Sequence, residues 1–279
     1  MKLRYYLPRA DLRDLVRAYY VFETEAEARQ PLCAELGNIR FTLNGAGRLV
    51  FRDGAVAPFS PATIIGPTSA AYALDAQAKT RVFGAGVLPM GWALLFGVPA
   101  DQLADRMEDL VAVAGPEAAR VAEEMRNTED ELLLVDAADR FFSRLRDRNG
   151  ARCSRAFPYE MQRWLLDPED LVLDRLVARM DVSRRQTDRL AKLFFGASPK
   201  LLQRKYRALR AADRIRMGEA ADWLDAAGES FYDQSHFIKE FKTFLGATPT
   251  AYARGHAGLV ARVRAARRQG GVGHPLAGL

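Results

Sequence analysis

The chain has 279 residues, 49% hydrophobic and 27% charged, with a formal net charge of +6. That length allows two domains with separate cores, and that composition reads as soluble and globular. No apolar run approaches the ~18 residues that a membrane-spanning helix needs, and Asp11, Arg13, Asp14 and Arg17 interrupt any signal-peptide core, so a cytoplasmic protein without membrane contact is expected.

Two residue types exclude more. The three histidines are His236, His256 and His274, so residues 1–235 offer no imidazole for acid–base chemistry or metal binding. Cys33 and Cys153 stand 120 positions apart without a CxxC, which argues against a four-cysteine zinc site and, in a cytosolic chain, against a disulfide. No GxxxxGK[ST], GxSxG or GxGxxG run is present. No enzyme, cofactor or metal site is expected. The charge is divided: 18 Lys and Arg face 21 Asp and Glu in residues 1–150, and 23 face 14 in residues 151–279. A near-neutral front and a basic back suggest a sensing part followed by a part that meets a polyanion.

In chain order, residues 19–95 show short apolar runs closed by turn residues. Ile39–Leu43 precedes Asn44-Gly45, Arg48–Phe51 precedes Asp53-Gly54, and Thr63–Ile65 precedes Gly66-Pro67. Tyr72–Leu74 and Arg81–Leu88 follow, the latter closed by Pro89 and Gly91. Asn-Gly and Asp-Gly between alternating segments are strong hairpin signals, so a small antiparallel barrel or sandwich is expected. Beyond Gly97-Val98-Pro99 the period becomes helical, over 100–109, over 116–126 with Pro116 at the start, and over 130–147. The last carries Leu133, Leu134, Ala137, Ala138, Phe141, Phe142 and Leu145 along one side, as core or as a dimerisation surface. The polar stretch Arg146–Ser154 predicts a boundary, giving a sensor or dimerisation domain over 1–150 and a helical domain over 155–257. Residues 258–279 read as a basic, flexible tail.

The helical part contains an internal repeat. Gly196 and Gly246 are 50 residues apart, as are Pro199 and Pro249, and each pair closes a helix, a tight turn and a second helix with a polar start. The units are expected at about 171–196 and 220–246, joined by one helix over about 199–219 with Leu202, Tyr206, Leu209, Ala212, Ile215 and Met217 as its apolar side. Ser183 and Asp233 suit the N-caps of the second helices. In the second unit Phe237, Phe241 and Phe244 form a buried stripe, leaving Gln234, Ser235, Lys239 and Lys242 outside. In the first, Leu190, Leu193 and Phe194 face inward while Arg184, Arg185, Arg189 and Lys192 are free. An exposed helix beginning with Arg, Gln and Ser suits base edges in a major groove, and its Lys and Arg suit phosphates. A rigid helix between two such units would set their separation, and successive major grooves on one face lie about 34 Å apart.

Residues 231–237, Lys239-Glu240-Phe241-Lys242, Gly246, Thr248-Pro249 and Tyr252 resemble the AraC/XylS family of transcription regulators over about 171–254. Val82–Pro89, Leu95–Leu110 and Gly115 resemble a poorly characterised sensor domain of some members. The resemblance implies an α+β chain that is a sequence-specific DNA-binding regulator. Its partners would be double-stranded DNA through the major groove, RNA polymerase if it activates, an unidentified small-molecule effector, and a second copy in a homodimer. By position it puts the base-reading face on Arg185, Asp188 and Arg189, and on Gln234, Ser235, His236 and Lys239; His236 could equally pack and bond locally. The sequence departs from the family at Asp181 and Ser230, where turn glycines are usual, and at Thr187 and Ala191, where large apolar residues are usual. Asp188 would repel phosphate unless it accepts from a cytosine amine. Two other readings stay open, a small-molecule enzyme fused to a DNA-binding module and a non-specific basic interaction protein.

Overall fold

Six of the nine residues VRAYYVFET, with Ala18–Phe22 in one run, are apolar, as suits a strand, β2 (Val16–Thr24), that is covered on both faces. In this computed structural model, which describes residues 1–150, 155–167, 172–217 and 233–255, β2 lies inside a six-stranded antiparallel sheet. Its order is β1 (Lys2–Tyr6), β2, β9 (Thr80–Val87), β4 (Gly37–Asn44), β7 (Ala62–Ile65) and β10 (Met107–Asp109). A second sheet runs β3 (Ala28–Leu32), β8 (Tyr72–Ala76), β5 (Gly47–Val50), β6 (Val56–Pro58). Between the sheets lie Phe22, Leu49, Phe51, Ile65, Tyr72, Leu74 and Val82. Neither sheet closes on itself, so the fold is a sandwich, not a barrel. Its edges carry Pro31 and Pro58, residues that blunt further strand pairing.

The other face of the large sheet is covered by helices. Tyr19, Val21, Ile39, Phe41, Ile64, Phe83 and Ala85 pack with Trp92, Leu94, Val121, Met125, Leu134, Phe141 and Phe142. The helices are α1 (Pro89–Leu95), α2 (Leu110–Ala114), α3 (Glu117–Arg126) and α4 (Glu131–Asn149). The inward side of α4 is core, as Leu134, Ala137, Ala138, Phe141, Phe142 and Leu145 are all buried. Leu133 is not part of that side and stands 54% exposed next to Leu132.

Two further expectations change. Asn44-Gly45 does not close a hairpin: Gly45 turns the chain (φ +76°) from β4 in one sheet to β5 in the other. Asp53-Gly54 does close one, between β5 and β6. Residues 100–109 are not one helix. A 3₁₀ turn at Ala100–Gln102 ends before Asp105 takes a left-handed backbone (φ +57°), and Met107–Asp109 then pairs with β7. Carboxylate oxygens of Asp105 receive the Ser69 N–H at 2.7 Å and the Ser69 hydroxyl at 2.5 Å, tertiary partners that the helical spacing did not reveal.

Among the described residues six helices follow: α5 (Ala156–Leu166), α6 (Leu173–Met180), α7 (Arg184–Phe195), α8 (Pro199–Met217), α9 (Gln234–Leu245) and α10 (Pro249–Gly255). Two small cores hold them. Phe157, Met161 and Trp164 of α5 pack with Leu176, Ala191, Phe194, Leu202 and Tyr206. Phe237, Phe241, Phe244 and Tyr252 pack with Ala208, Leu209 and Ala212 of α8. The first helix of the second expected unit, the turn position Ser230, the end of the linker beyond Met217 and the tail lie outside the described residues. No helix among the described residues is long and apolar enough to cross a membrane.

Strand β9 offers a test of the sandwich interior. A Cβ on Gly84 would sit 2.0 Å from the Tyr20 ring, whereas on Gly86 its nearest neighbours are 4.0 Å away. Gly84→Ala should therefore cost about 1–3 kcal/mol by overpacking, and Gly86→Ala should be neutral or gain up to about 1 kcal/mol by reducing chain entropy in the unfolded state. Urea unfolding midpoints of the two variants check this; equal shifts would contradict the packing of β2 on β9.

Candidate nucleic-acid interface

The first unit builds its exposed helix from local rules. Helix α6 ends at Asp181, a non-glycine residue in the left-handed region (φ +49°, ψ +41°) that its short polar side chain tolerates. After Val182, Ser183 turns extended and its hydroxyl accepts from the Gln186 N–H at 3.2 Å, capping α7. The inward residues of α7 are Thr187, Ala191, Phe194 and Phe195, with Leu190 and Leu193 at the margin of the same core. The small residues at 187 and 191 are both buried: Thr187 has its hydroxyl on the Ser183 carbonyl at 3.1 Å, Ala191 lies in the helical core, and in that core Phe157 stacks on Phe194.

On the outer side, Arg185, Gln186 and Arg189 are exposed, and neither arginine has an ion-pair partner among the described residues. Arg184 pairs with Asp174 across the turn. Asp188 is held by Lys192 one turn on, at 2.7 Å, and the hydrogen bond it accepts, together with its charge, raises the Lys192 pKa. The pair offsets the repulsion that Asp188 alone would exert on a phosphate, and it leaves Arg185 and Arg189 as the free cations of this face.

Helix α9 repeats the pattern. The Asp233 carboxylate accepts from the His236 N–H at 2.8 Å, and Phe237, Phe241 and Phe244 are wholly buried. Gln234, Ser235, His236, Lys239 and Lys242 are exposed along the opposite side. The His236 ring faces Glu240 at 3.9 Å. Glu240 itself is buried and receives the Arg204 Nε–H of α8 at 2.7 Å, an ion pair that fixes α9 against the linker helix. The glycines close the repeat: Gly196 and Gly246 are left-handed (φ +75° and +77°), and the hydroxyls of Ser198 and Thr248 accept from the Leu201 and Ala251 N–H groups to start the next helices. All ten expected contact residues thus lie on α7 and α9, outside the two helical cores.

Lys205 was not expected. It is 4% exposed, and its ammonium donates to the Glu35 carbonyl at 2.6 Å and the Thr68 carbonyl at 2.8 Å in the front domain. Its position, three after Leu202 and four before Leu209, is the available signal, because that spacing puts it on the buried side of α8.

A helix, a left-handed turn and an exposed, N-capped helix, with a second exposed helix capped in the same way, have the geometry of a helix-turn-helix domain. Comparison with known families agrees. The model of a helix-turn-helix domain matches residues 176–255, and that of a domain of unknown function (DUF6597) matches residues 4–109. The C-terminal match is to a helix-turn-helix domain of the AraC type. Among solved structures, ToxT from Vibrio cholerae is 11% identical with a TM-score of 0.50, covering 84% of this chain and 97% of that one, and it shows a shared fold. ToxT from V. cholerae strain SCE256 with unsaturated fatty acid bound gives 0.48 at 11% identity, covering 84% and 93%. The AraC-like transcriptional activator CuxR gives 0.34 at 15% identity, covering 73% and 79%. No curated protein gives a significant match.

Burial pulls the Lys205 ammonium down to about 8 from its ordinary 10.5, against the opposing pull of Asp105, Glu35 and Cys33. The folded chain therefore releases this proton before the unfolded chain does, so its stability contribution rises with pH between about 8 and 10.5. The difference in unfolding free energy between wild type and Lys205→Met should be flat below pH 7 and grow by on the order of 1 kcal/mol by pH 9. Chemical unfolding at several pH values checks this; a flat difference throughout would mean that the ammonium is better solvated than its burial implies.

Proposed function

We propose that the chain is a sequence-specific DNA-binding transcription regulator whose helices α7 and α9 each enter a major groove. The observation that carries this reading is the duplicated geometry: two helices, each capped by a short polar side chain, present exposed Arg, Gln and Ser at their beginnings. Such groups match base edges, while Lys192, Lys239 and Lys242 along the same helices suit phosphates. Arg185 and Arg189 are the direct readers of the first unit, and Gln234 and Ser235 those of the second. The excess of positive charge behind residue 150 favours association with a polyanion, and binding should weaken steeply with salt as counterions are released. The front sandwich is the part that responds to an effector.

Selection of random duplex DNA on the purified full chain at near-physiological salt tests the reading. It should enrich two short blocks about one helical turn apart. Gln234→Ala and Arg189→Ala should each cost about 1–3 kcal/mol and relax preference at particular bases, whereas Lys242→Ala should weaken binding to all sequences alike and lower the salt slope by about one. No enrichment, or three variants that behave identically, would overturn direct readout and favour a non-specific basic surface.

A further inference from the structure

Both reading helices end against the front sandwich, and they do so by the same device. A Cβ on Gly196, at the end of α7, would lie 3.2 Å from Pro67 and 3.3 Å from the Ala100 carbonyl. A Cβ on Gly246, at the end of α9, would lie 3.1 Å from Pro31 and 3.3 Å from Ala71. The last carbonyls of a helix lack partners within it. In α9 two of them are satisfied from the other domain: Ala71 N–H donates to the Thr243 carbonyl at 2.9 Å, and Ala34 N–H to the Phe244 carbonyl at 2.8 Å. Between the two helix ends, Lys205 of the linker bonds the Glu35 and Thr68 carbonyls.

The receiving loops form one seat. Thr68 N–H donates to the Glu35 carbonyl at 3.1 Å, the Glu35 N–H to the Thr68 hydroxyl at 2.7 Å, and Asp105 N–H to the Pro67 carbonyl at 3.2 Å. The seat continues into the sandwich. The Tyr72 hydroxyl donates to the Glu35 carboxylate at 2.9 Å and receives the buried Arg40 guanidinium at 3.4 Å, which also donates to the Tyr20 hydroxyl at 3.0 Å. On the far side, Arg204, next to Lys205, holds Glu240 of α9. A polar chain thus runs from between the two sheets, through Glu35 and the linker helix, to the second reading helix.

We propose that the front domain is a clamp that sets the spacing of the two DNA-reading helices through these three contacts, with Lys205 as its central pin. This rests on the regulator reading above. The ground is where the contacts fall: they take the helix ends and the linker between them, and leave the exposed starts of α7 and α9 free. Helix α8 alone fixes the heads only as firmly as each packs on it; the seat adds a second, independent support at both far ends. An event between the sheets that moves Glu35 or Tyr72 would act on the pin directly, which gives the front domain a route to the DNA-reading pair.

The test uses the full chain, as wild type, Lys205→Met and Lys205→Gln. Met keeps the length without a donor, and Gln keeps one donor. Amide hydrogen exchange should rise in the segments holding Ala34 and Ala71 in Lys205→Met, less in Lys205→Gln, with β2 and β9 unchanged. On the two-block duplex that the wild type selects, inserting two base pairs between the blocks should weaken wild-type binding roughly tenfold or more, and Lys205→Met binding only about two- to threefold. Unchanged exchange at the seat, equal spacing discrimination in wild type and Lys205→Met, or a wild-type motif of one block would each overturn the clamp while leaving DNA reading intact. A wild type that selects no DNA would overturn the regulator reading beneath it.

Discussion

A helix must satisfy its last carbonyls or expose them to water, and in this chain the way two helices do so organises the C-terminal domain. Gly196 and Gly246 adopt the left-handed backbone that ends α7 and α9, and each sends its N–H back to a lysine carbonyl one turn earlier, at 3.0 Å. A side chain on either would be strained by the positive φ and would crowd the front sandwich. The same two residues therefore stop the helices, turn the chain into α8 and α10, and let the domains meet backbone to backbone. The opposite ends of α7 and α9, capped by Ser183 and Asp233, stay exposed. The fold separates a held end from a presented end on each helix.

The cations divide in the same way. Arg185, Arg189, Lys239 and Lys242 are exposed, whereas Lys205, Arg40 and the Arg204–Glu240 pair serve the interior. A buried charge is costly unless paired and hydrogen-bonded, and each buried one has partners: carbonyls for Lys205, tyrosine hydroxyls for Arg40, and the half-exposed Arg204 guanidinium for Glu240. Net charge alone does not distinguish the two groups. The distinction lies in the helical period of α8, which keeps Lys205 on the inner side, and in the pleat of β4, which turns Arg40 toward the second sheet while Ile39 and Phe41 face the helices.

Much of this was legible in the residues. The glycine–Ser/Thr–proline repeat, the two N-caps, the phenylalanine stripe of α9 and the tolerance of Asp181 for a left-handed turn all follow from local chemistry, and local chemistry is what a sequence displays. The losses came where tertiary partners decide. Strands β1 and β3 and helix α1 passed unread; β3 carries a proline at a sheet edge, and β10 is three residues whose partner, β7, lies more than forty positions earlier. Asn44-Gly45 makes the turn its residues imply, but the sheet to which β5 then adds is chosen by β8 and β6. Lys205 reads as a solvated cation because its partners are backbone carbonyls of distant loops, which have no side-chain signature.

Whether α7 and α9 read DNA together is decided by chemical footprinting of the full chain on its selected duplex. Two protected major-groove patches are expected on one face of the duplex, about 34 Å apart, with guanine N7 shielded wherever an arginine reads a guanine. A single protected patch, or uniform weak protection along the whole duplex, would contradict joint reading.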